Sequence, residues 1–163
     1  MNTDMDTPSK PISAAAISIR PAESGDRAAI AELLSASRLV PLDETAQFGP
    51  QYAVAVDGDG MLVGVAGYER YGTDILLRSV AVAVPLRSTG IGARLTADRL
   101  AHASAQGCVG AYLLTDTAHG YWERHGFSKI DRQAAPEPIT HSHEWSAACP
   151  ASATAMFRRL TER

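Results

Sequence analysis

The sequence predicts an α+β domain built on a mixed β-sheet, and three observations support this. Residues 51–72 have the pattern of a β-hairpin, with apolar residues alternating on both sides of the turn "DGDG". A third apolar stretch, residues 73–84, follows the hairpin directly and leads into a long helix. Strand and helix patterns then follow each other without the regular alternation of a doubly wound protein. We therefore expect mostly antiparallel strands with flanking helices.

The first elements follow from local patterns. "AISIR" alternates before Pro21, which predicts a short first strand. In the next segment Ile30, Leu33 and Leu34 fall on one face at helical spacing, and Ser24 can cap that helix. The hairpin "QYAVAVDGDGMLVGVAGYERYG" then supplies the second and third strands.

The later elements alternate between strands and helices. "TDILLRSVAVAV" is nearly all apolar, which is typical of a strand covered on both faces. A helix from Gly90 to about Gln106 ends at Gly107, and the strand "VGAYLLTDT" follows, parallel to the previous one if the crossover is right-handed. The remaining patterns predict a short helix "AHGYWERH", a strand "FSKID", a helix "PEPITHSHEWSAAC" after Pro136 and a last strand "ATAMFRRL".

Length and composition narrow the class of protein. A chain of 163 residues is one domain, here residues 16–163, after an N-terminal tail of residues 1–15 that we expect to be disordered. The net charge of −3 provides no broad basic surface for nucleic acid or an anionic membrane, and no run of apolar residues is long enough to span a bilayer. With only Cys108 and Cys149, a disulfide framework is excluded and a reducing cytoplasm fits.

The stretch "VAVAVPLRSTGIGARL" indicates a phosphate-binding loop. A Walker loop is excluded because no lysine follows either glycine, and a dinucleotide fingerprint is excluded because Leu95 stands where its third glycine belongs. What remains is an arginine and two glycines between an apolar strand and a helix, a spacing that suits a pyrophosphate at the helix N-terminus. An ordinary strand-to-helix turn is the alternative.

Two blocks of the sequence resemble the GCN5-related N-acetyltransferase (GNAT) superfamily. "RSTGIG" fits the superfamily signature [QR]-x-x-G-x-[GA], and "YWERHGF" is similar to its "FYEKLGF"-type block. The resemblance spans roughly residues 17–160 and implies a mostly antiparallel mixed sheet with a splayed parallel pair of fourth and fifth strands. Within the superfamily, "VAGYERYGTDILLRSVAV", "AYLLTDTA" and "CPASATAM" resemble the acetyltransferases associated with arsenic-resistance operons.

The resemblance implies acetyl-CoA as the cosubstrate and assigns residues to it. Backbone groups of Val80, Ala81 and Val82 would bind the pantetheine arm as an added strand, and the N–H group near Val82 would stabilise the oxyanion. The residues that would surround the pyrophosphate are Arg87, at the first position of the signature, followed by Ser88, Thr89, Gly90, Ile91, Gly92 and Ala93.

Candidates for proton transfer come from neighbouring positions, because this chain departs from the superfamily pattern. The tyrosine that often protonates the leaving thiolate is replaced by Trp122, so Tyr121 is the candidate acid, provided that the helix is rotated. The alternatives are that Tyr121 only packs against the sheet and that solvent protonates the thiolate directly. The fourth strand has no carboxylate, and Glu69 on the preceding strand becomes the candidate base, acting through a water; a solvated carboxylate at a strand end is its alternative.

Arg78 is a charged residue within an apolar strand and therefore needs an anionic partner. That partner is either Glu69, in a structural pair, or an anionic group of the acceptor; we expect the acceptor and hence a substrate-binding role. His141 and His143 are two residues apart and do not share a helix face, and with Cys149 they do not make a convincing metal site, so we expect no metal.

The sequence thus predicts an enzyme that transfers an acetyl group from acetyl-CoA to the primary amine of a small molecule. An amino acid or an amino-acid-like antimetabolite is the expected acceptor, and the resemblance suggests a link to arsenic resistance. The alternatives are acetylation of a protein or peptide amine and an acyl-CoA-binding sensor without transferase chemistry. A homodimer is left open.

Overall fold

The computed structural model describes residues 16–42, 47–148 and 151–160, and within them it confirms the predicted α+β class. Seven strands form one sheet in the order β1-β2-β3-β4-β5-β7-β6. The strands are β1 (Ser18–Pro21), β2 (Ala53–Val56), β3 (Leu62–Tyr71), β4 (Asp74–Val82), β5 (Gly110–Thr115), β6 (Ser128–Ile130) and β7 (Thr154–Arg159). The helices are α1 (Arg27–Ala36), α2 (Ile91–Ala105), α3 (His119–Arg124) and α4 (Glu137–Thr140). The tail predicted for residues 1–15 lies outside the described residues.

The start of α1 is stabilised differently from the prediction. Ser24 does not cap the helix but begins a short 3₁₀ turn, Ser24–Asp26. The Asp26 carboxylate accepts the Glu23 N–H at 2.8 Å and two hydrogen bonds from the Arg20 guanidinium at 2.8 and 3.0 Å. These hydrogen bonds from Arg20 lower the pKa of Asp26, and they attach the helix start to β1.

The sheet separates two buried layers. On one face, Leu77 of β4 packs with Leu100 of α2 and with Trp122 of α3. On the other face, Leu76 packs with the segment between β6 and β7, and a neighbouring cluster joins α1 to β2 and β3. Because β4 is central in the sheet, it is covered on both faces, as its apolar sequence predicted.

A β-bulge interrupts β4 next to its charged residue. Gly67 of β3 pairs with Arg78 and Val65 pairs with Ala81, so that Ser79 and Val80 both lie opposite one residue of β3. Ser79 has a φ of 62°, in the left-handed region that non-glycine residues rarely adopt. The extra residue places Arg78 on the α1 side of the sheet and lets Val80 pack toward α2.

The parallel pairing of β4 with β5 is short. It extends over three residue pairs, from Asp74↔Gly110 to Leu76↔Tyr112, whereas β4 continues to Val82 and β5 to Thr115. Beyond these three pairs, β4 and β5 do not pair with each other. This is the splayed fourth and fifth strand pair that the resemblance implied.

The single helix predicted after Pro136 is wrong. The segment forms the short α4, then a turn, and then a π-helical turn at Glu144–Ala148. Ser142 explains the break, because its hydroxyl donates to the Ile139 carbonyl at 2.6 Å and accepts the Trp145 N–H at 3.3 Å, in competition with helical bonds. No helix in the described part of the chain is long and apolar enough to cross a membrane.

Candidate active site

The loop before α2 has the backbone geometry of an anion site. Gly90 is the N-cap of α2 with a φ of 94°, and Ser88, two residues earlier, also has a positive φ of 69°. No side chain caps this helix end. The first N–H groups of α2, from Ile91 to Ala93, therefore have no partner within the helix and lie at its positive end. The Thr89 hydroxyl donates to the Leu86 carbonyl at 2.5 Å and so helps to fix the loop.

Arg87 does not point freely toward these N–H groups. Its Nε donates to the Val82 carbonyl at 3.0 Å, and its Nη2 donates to the Ser37 hydroxyl at 3.1 Å. The guanidinium thus connects the end of β4 to the end of α1. A phosphate contact by Arg87 stays a prediction, and it requires the side chain to leave these two bonds.

The end of β4 presents backbone to the open side of the sheet. The Ala83 N–H donates to the Val63 carbonyl on β3 at 2.8 Å, and alternation along a strand therefore directs the backbone groups of Val82 away from β3, toward the unpaired edge. The side chains of Val80 and Val82 are partly buried against the cluster that contains Ile91 and Leu95 of α2.

The helix α3 turns Trp122 inward and brings the Tyr121 hydroxyl to the start of α2. Trp122 is only 8% exposed and belongs to the core beneath α2. A Cβ atom added to Gly92 would lie 3.0 Å from the Tyr121 hydroxyl and 3.6 Å from Val82 Cγ2. The residue beside the substituted tyrosine position therefore places its hydroxyl next to the first turn of α2 and near the end of β4. Burial raises the pKa of Tyr121, which keeps its hydroxyl protonated at neutral pH.

On the opposite face of the sheet, Arg78 is the centre of a buried polar cluster. Its Nη1 donates to Glu69 Oε2 at 2.5 Å, and each of these two side chains is only 1% exposed. Its Nε lies 3.4 Å from Glu144 Oε1, and its Nη2 donates to the Pro41 carbonyl at 3.2 Å. Of the two partners that the sequence left open for Arg78, the structure shows Glu69. A contact with the acceptor stays a prediction.

Two tyrosines complete the Arg78 cluster. The Tyr71 hydroxyl donates to Glu69 Oε1 at 2.5 Å, so both carboxylate oxygens of Glu69 are engaged. Burial, followed by this hydrogen bond, raises the pKa of Tyr71. Tyr52 is fully buried, and its hydroxyl has no hydrogen-bond partner among the described residues. It packs over Gly67, where an added Cβ would come within 2.3 Å of its ring.

Sequence reasoning did not find Tyr71 or Glu144. Tyr71 follows Glu69 by two residues on β3, and this spacing puts both side chains on one face of the strand, which is a signal that could have indicated the pair. Glu144 lies between His143 and Trp145, in a segment whose sequence predicts a helix and gives no signal for an ion pair with Arg78.

The histidine segment does not form a metal centre in the described part of the chain. His141 and His143 are both exposed, and no group of three or more His, Cys, Asp or Glu side chains within residues 16–42, 47–148 and 151–160 is arranged to hold a metal ion. Cys149, considered with them, lies outside the described residues.

Comparisons with known proteins agree with this geometry. Residues 49–129 match the model of the acetyltransferase (GNAT) domain. None of the curated proteins matches the sequence. Among solved structures, N-acetylglutamate synthase from Neisseria gonorrhoeae, complexed with coenzyme A and N-acetyl-glutamate, is similar with a TM-score of 0.76 at 21% identity, over 90% of this chain and 35% of that chain. This chain thus spans about a third of the length of that synthase.

Two further structures are similar over nearly their whole length. Rv2747 from Mycobacterium tuberculosis, in complex with CoA and a second compound, has a TM-score of 0.73 at 20% identity, over 88% of this chain and 99% of that chain. The ribosomal-protein-S18-alanine N-acetyltransferase from Escherichia coli has a TM-score of 0.66 at 17% identity, over 90% of this chain and 96% of that chain.

The splayed sheet, the loop before α2 and the match over residues 49–129 define the class of protein. The match places an acetyltransferase (GNAT) domain at residues 49–129, just under half of the chain, and enzymes with this domain use acetyl-CoA as the cosubstrate.

Proposed function

We propose that the protein transfers the acetyl group of acetyl-CoA to the primary amine of a small molecule, an amino acid or an amino-acid-like antimetabolite. The observation that carries this proposal is the meeting of three features at one point. Gly92 lies in the first turn of α2, and a Cβ there would be 3.0 Å from the Tyr121 hydroxyl and 3.6 Å from Val82 Cγ2, so the helix start, the end of β4 and the hydroxyl are neighbours. Anion binding needs the free N–H groups, orientation of the thioester needs the strand edge, and proton donation needs the hydroxyl.

The backbone of these residues suits acetyl-CoA once the Arg87 side chain releases the Val82 carbonyl, to which its Nε donates at 3.0 Å. The unpaired edge of β4, from Val80 to Val82, offers hydrogen bonds to the pantetheine arm in the manner of an added strand. The amides from Ser88 to Ala93 accommodate the pyrophosphate, with Gly90 supplying the left-handed turn. Acetyl-CoA itself supplies an activated thioester, whose carbonyl carbon accepts the amine.

The chemistry that this chain supplies is orientation and proton transfer. As the amine nitrogen forms its bond to the carbonyl carbon, an N–H group near Val82 stabilises the negative charge on the oxygen. When the C–S bond breaks, the sulfur leaves as a thiolate, and the Tyr121 hydroxyl donates a proton to it. The proton lost by the amine goes to Glu69 through a water or through the Tyr71 hydroxyl, because both Glu69 oxygens are already engaged.

Replacing Tyr121 with phenylalanine is expected to lower kcat on the order of 100-fold while leaving the Kd of CoA nearly unchanged. The ring, and with it the packing on Trp122 and His125, is retained, and only the proton donor is lost. Because burial raises the pKa of Tyr121, kcat of the wild type should fall only as the pH rises through that raised value, and this limb should disappear in the variant. Equal kcat values under conditions where chemistry is rate-limiting would assign Tyr121 to packing alone.

The acceptor is proposed from the chemistry of the Arg78 cluster. We propose that an anionic group of the acceptor takes the place of the Glu144 carboxylate, which lies 3.4 Å from Arg78 Nε, while Arg78 stays paired with Glu69. An amino acid carries such a carboxylate, and the gonococcal synthase is complexed with N-acetyl-glutamate. The resemblance of the sequence to arsenic-resistance acetyltransferases adds arsenic-containing amino acids to the candidates. The predicted cytoplasmic location fits a substrate of this kind.

Release of CoA thiol from acetyl-CoA, measured across a panel of amines, tests the proposed function. We expect turnover with one or more α-amino acids or amino-acid-like compounds, including arsenic-containing ones, and little with their decarboxylated analogues. The E. coli relative motivates a second arm with peptides, since its name describes acetylation of a protein. Turnover with peptides alone would favour that alternative, and tight CoA binding without turnover of any amine would favour a sensor.

A further inference from the structure

The two glycines of "RSTGIG" have different structural requirements. Gly90 has a φ of 94°, and a Cβ added there would meet no atom within 4 Å, so its backbone conformation is what favours glycine. Gly92 lies within α2 and is not among the residues with positive φ. A Cβ on Gly92 would instead be 3.0 Å from the Tyr121 hydroxyl, closer than ordinary van der Waals contact. Space, and not conformation, therefore favours glycine at residue 92, because a methyl group there would displace the Tyr121 hydroxyl by a few tenths of an ångström.

The Tyr121 ring cannot easily give way to an added methyl group. It stands perpendicular to the Trp122 ring, with centroids 4.9 Å apart, and its centroid is 4.4 Å from that of His125. It also packs against the core cluster beneath α2. Within the described residues the Tyr121 hydroxyl forms no hydrogen bond with another protein group, so packing alone sets its position.

We propose that Gly92 is a positioning residue for Tyr121: its missing side chain leaves the space in which the hydroxyl lies beside Val82. This inference rests on the proposed function, because the hydroxyl matters for catalysis only if it donates a proton to the leaving thiolate. The inference adds to the proposed function that Gly92 contributes to proton donation by Tyr121 as well as to phosphate binding. The space at Gly92 allows residue 121 to act where residue 122 is a buried tryptophan.

A double-mutant cycle tests the coupling. Gly92→Ala is expected to lower kcat on the order of 10-fold in the wild type, with the Kd of CoA changed by less than about threefold. In the Tyr121→Phe background the same substitution should change kcat by less than about twofold, because the hydroxyl it displaces is absent. Gly120→Ala is the matched control, since a Cβ there meets only the end of the Arg124 side chain, at 3.9 Å. Equal effects of Gly92→Ala in both backgrounds would overturn the proposal.

A second readout does not depend on turnover. The ionisation of Tyr121 can be followed by the ultraviolet difference between each protein and its Tyr121→Phe counterpart. We expect Gly92→Ala to change the pH midpoint of this ionisation and Gly120→Ala to leave it unchanged. An unchanged midpoint in Gly92→Ala would contradict the positioning role. If the midpoint changes and yet no amine is acetylated, the proposed function fails while the placement of the hydroxyl by Gly92 stands.

Discussion

Replacing Arg78 with leucine is expected to lower the free energy of unfolding by about 3–5 kcal/mol, because the substitution leaves a buried carboxylate without its counter-charge. Glu69 is 1% exposed and receives the Arg78 hydrogen bond at 2.5 Å, so no solvent can replace the lost partner. The carboxylate of Glu144 lies on the same guanidinium and loses its contact as well. Urea or thermal unfolding measures the effect, with an expected fall in Tm of roughly 10 °C.

The double variant Arg78→Leu/Glu69→Gln is the matched control. The amide is neutral and still accepts the hydrogen bond of Tyr71, so it should recover a substantial part of the lost stability. In Glu69→Gln alone, Arg78 keeps Glu144 as its counter-charge, and a large fall in kcat, measured at a temperature where the variant stays folded, supports proton transfer through Glu69. A stable Arg78→Leu protein with a raised KM for the acceptor alone would show that Arg78 serves substrate binding and not the fold.

Replacing Gly92 with glutamate is expected to weaken CoA binding by at least ~100-fold, equivalent to about 2.7 kcal/mol. The substitution adds a negative charge in the first turn of α2, where the free N–H groups are proposed to hold the pyrophosphate. Its Cβ also enters the space of the Tyr121 hydroxyl. Isothermal titration calorimetry with CoA measures the loss.

The control for this prediction is Ala97→Glu, which adds the same charge to an exposed position further along α2. It should bind CoA with nearly wild-type affinity. Unchanged affinity in Gly92→Glu would mean that the pyrophosphate is not held at this helix end, and the assignment of Ser88 to Ala93 would be withdrawn.

Elements with strong local patterns could be predicted from the sequence. The hairpin of β2 and β3 formed around "DGDG", and α2 begins and ends within one residue of its predicted bounds, because glycines mark both of its ends. The tight turn before α2 followed in the same way from the spacing of an arginine and two glycines, and its role in anion binding stays a prediction. Each of these features is determined by residues that are close together in the sequence.

The polar cluster at Arg78 could be predicted only in part, because it depends on contacts distant in sequence. The sequence showed that Arg78 needed a partner, but it favoured the acceptor over Glu69, which lies nine residues away on the adjacent strand and is the partner in the structure. Glu144 and the carbonyl of Pro41 come from segments whose sequences show no strong apolar periodicity. The prediction of a single helix over residues 136–149 also failed, because a serine hydroxyl competes with the backbone there.

The bulge at Ser79 divides β4 into two parts with different roles. Before it, Arg78 faces the side of the sheet that holds the polar cluster, and after it, Val80 and Val82 pack beside α2 near the proposed thioester. Under the proposed function, residues in the first half would vary with the acceptor while the second half keeps its contacts to the cofactor. One strand could thus acquire a new acceptor specificity in evolution while its proposed acetyl-CoA site is retained.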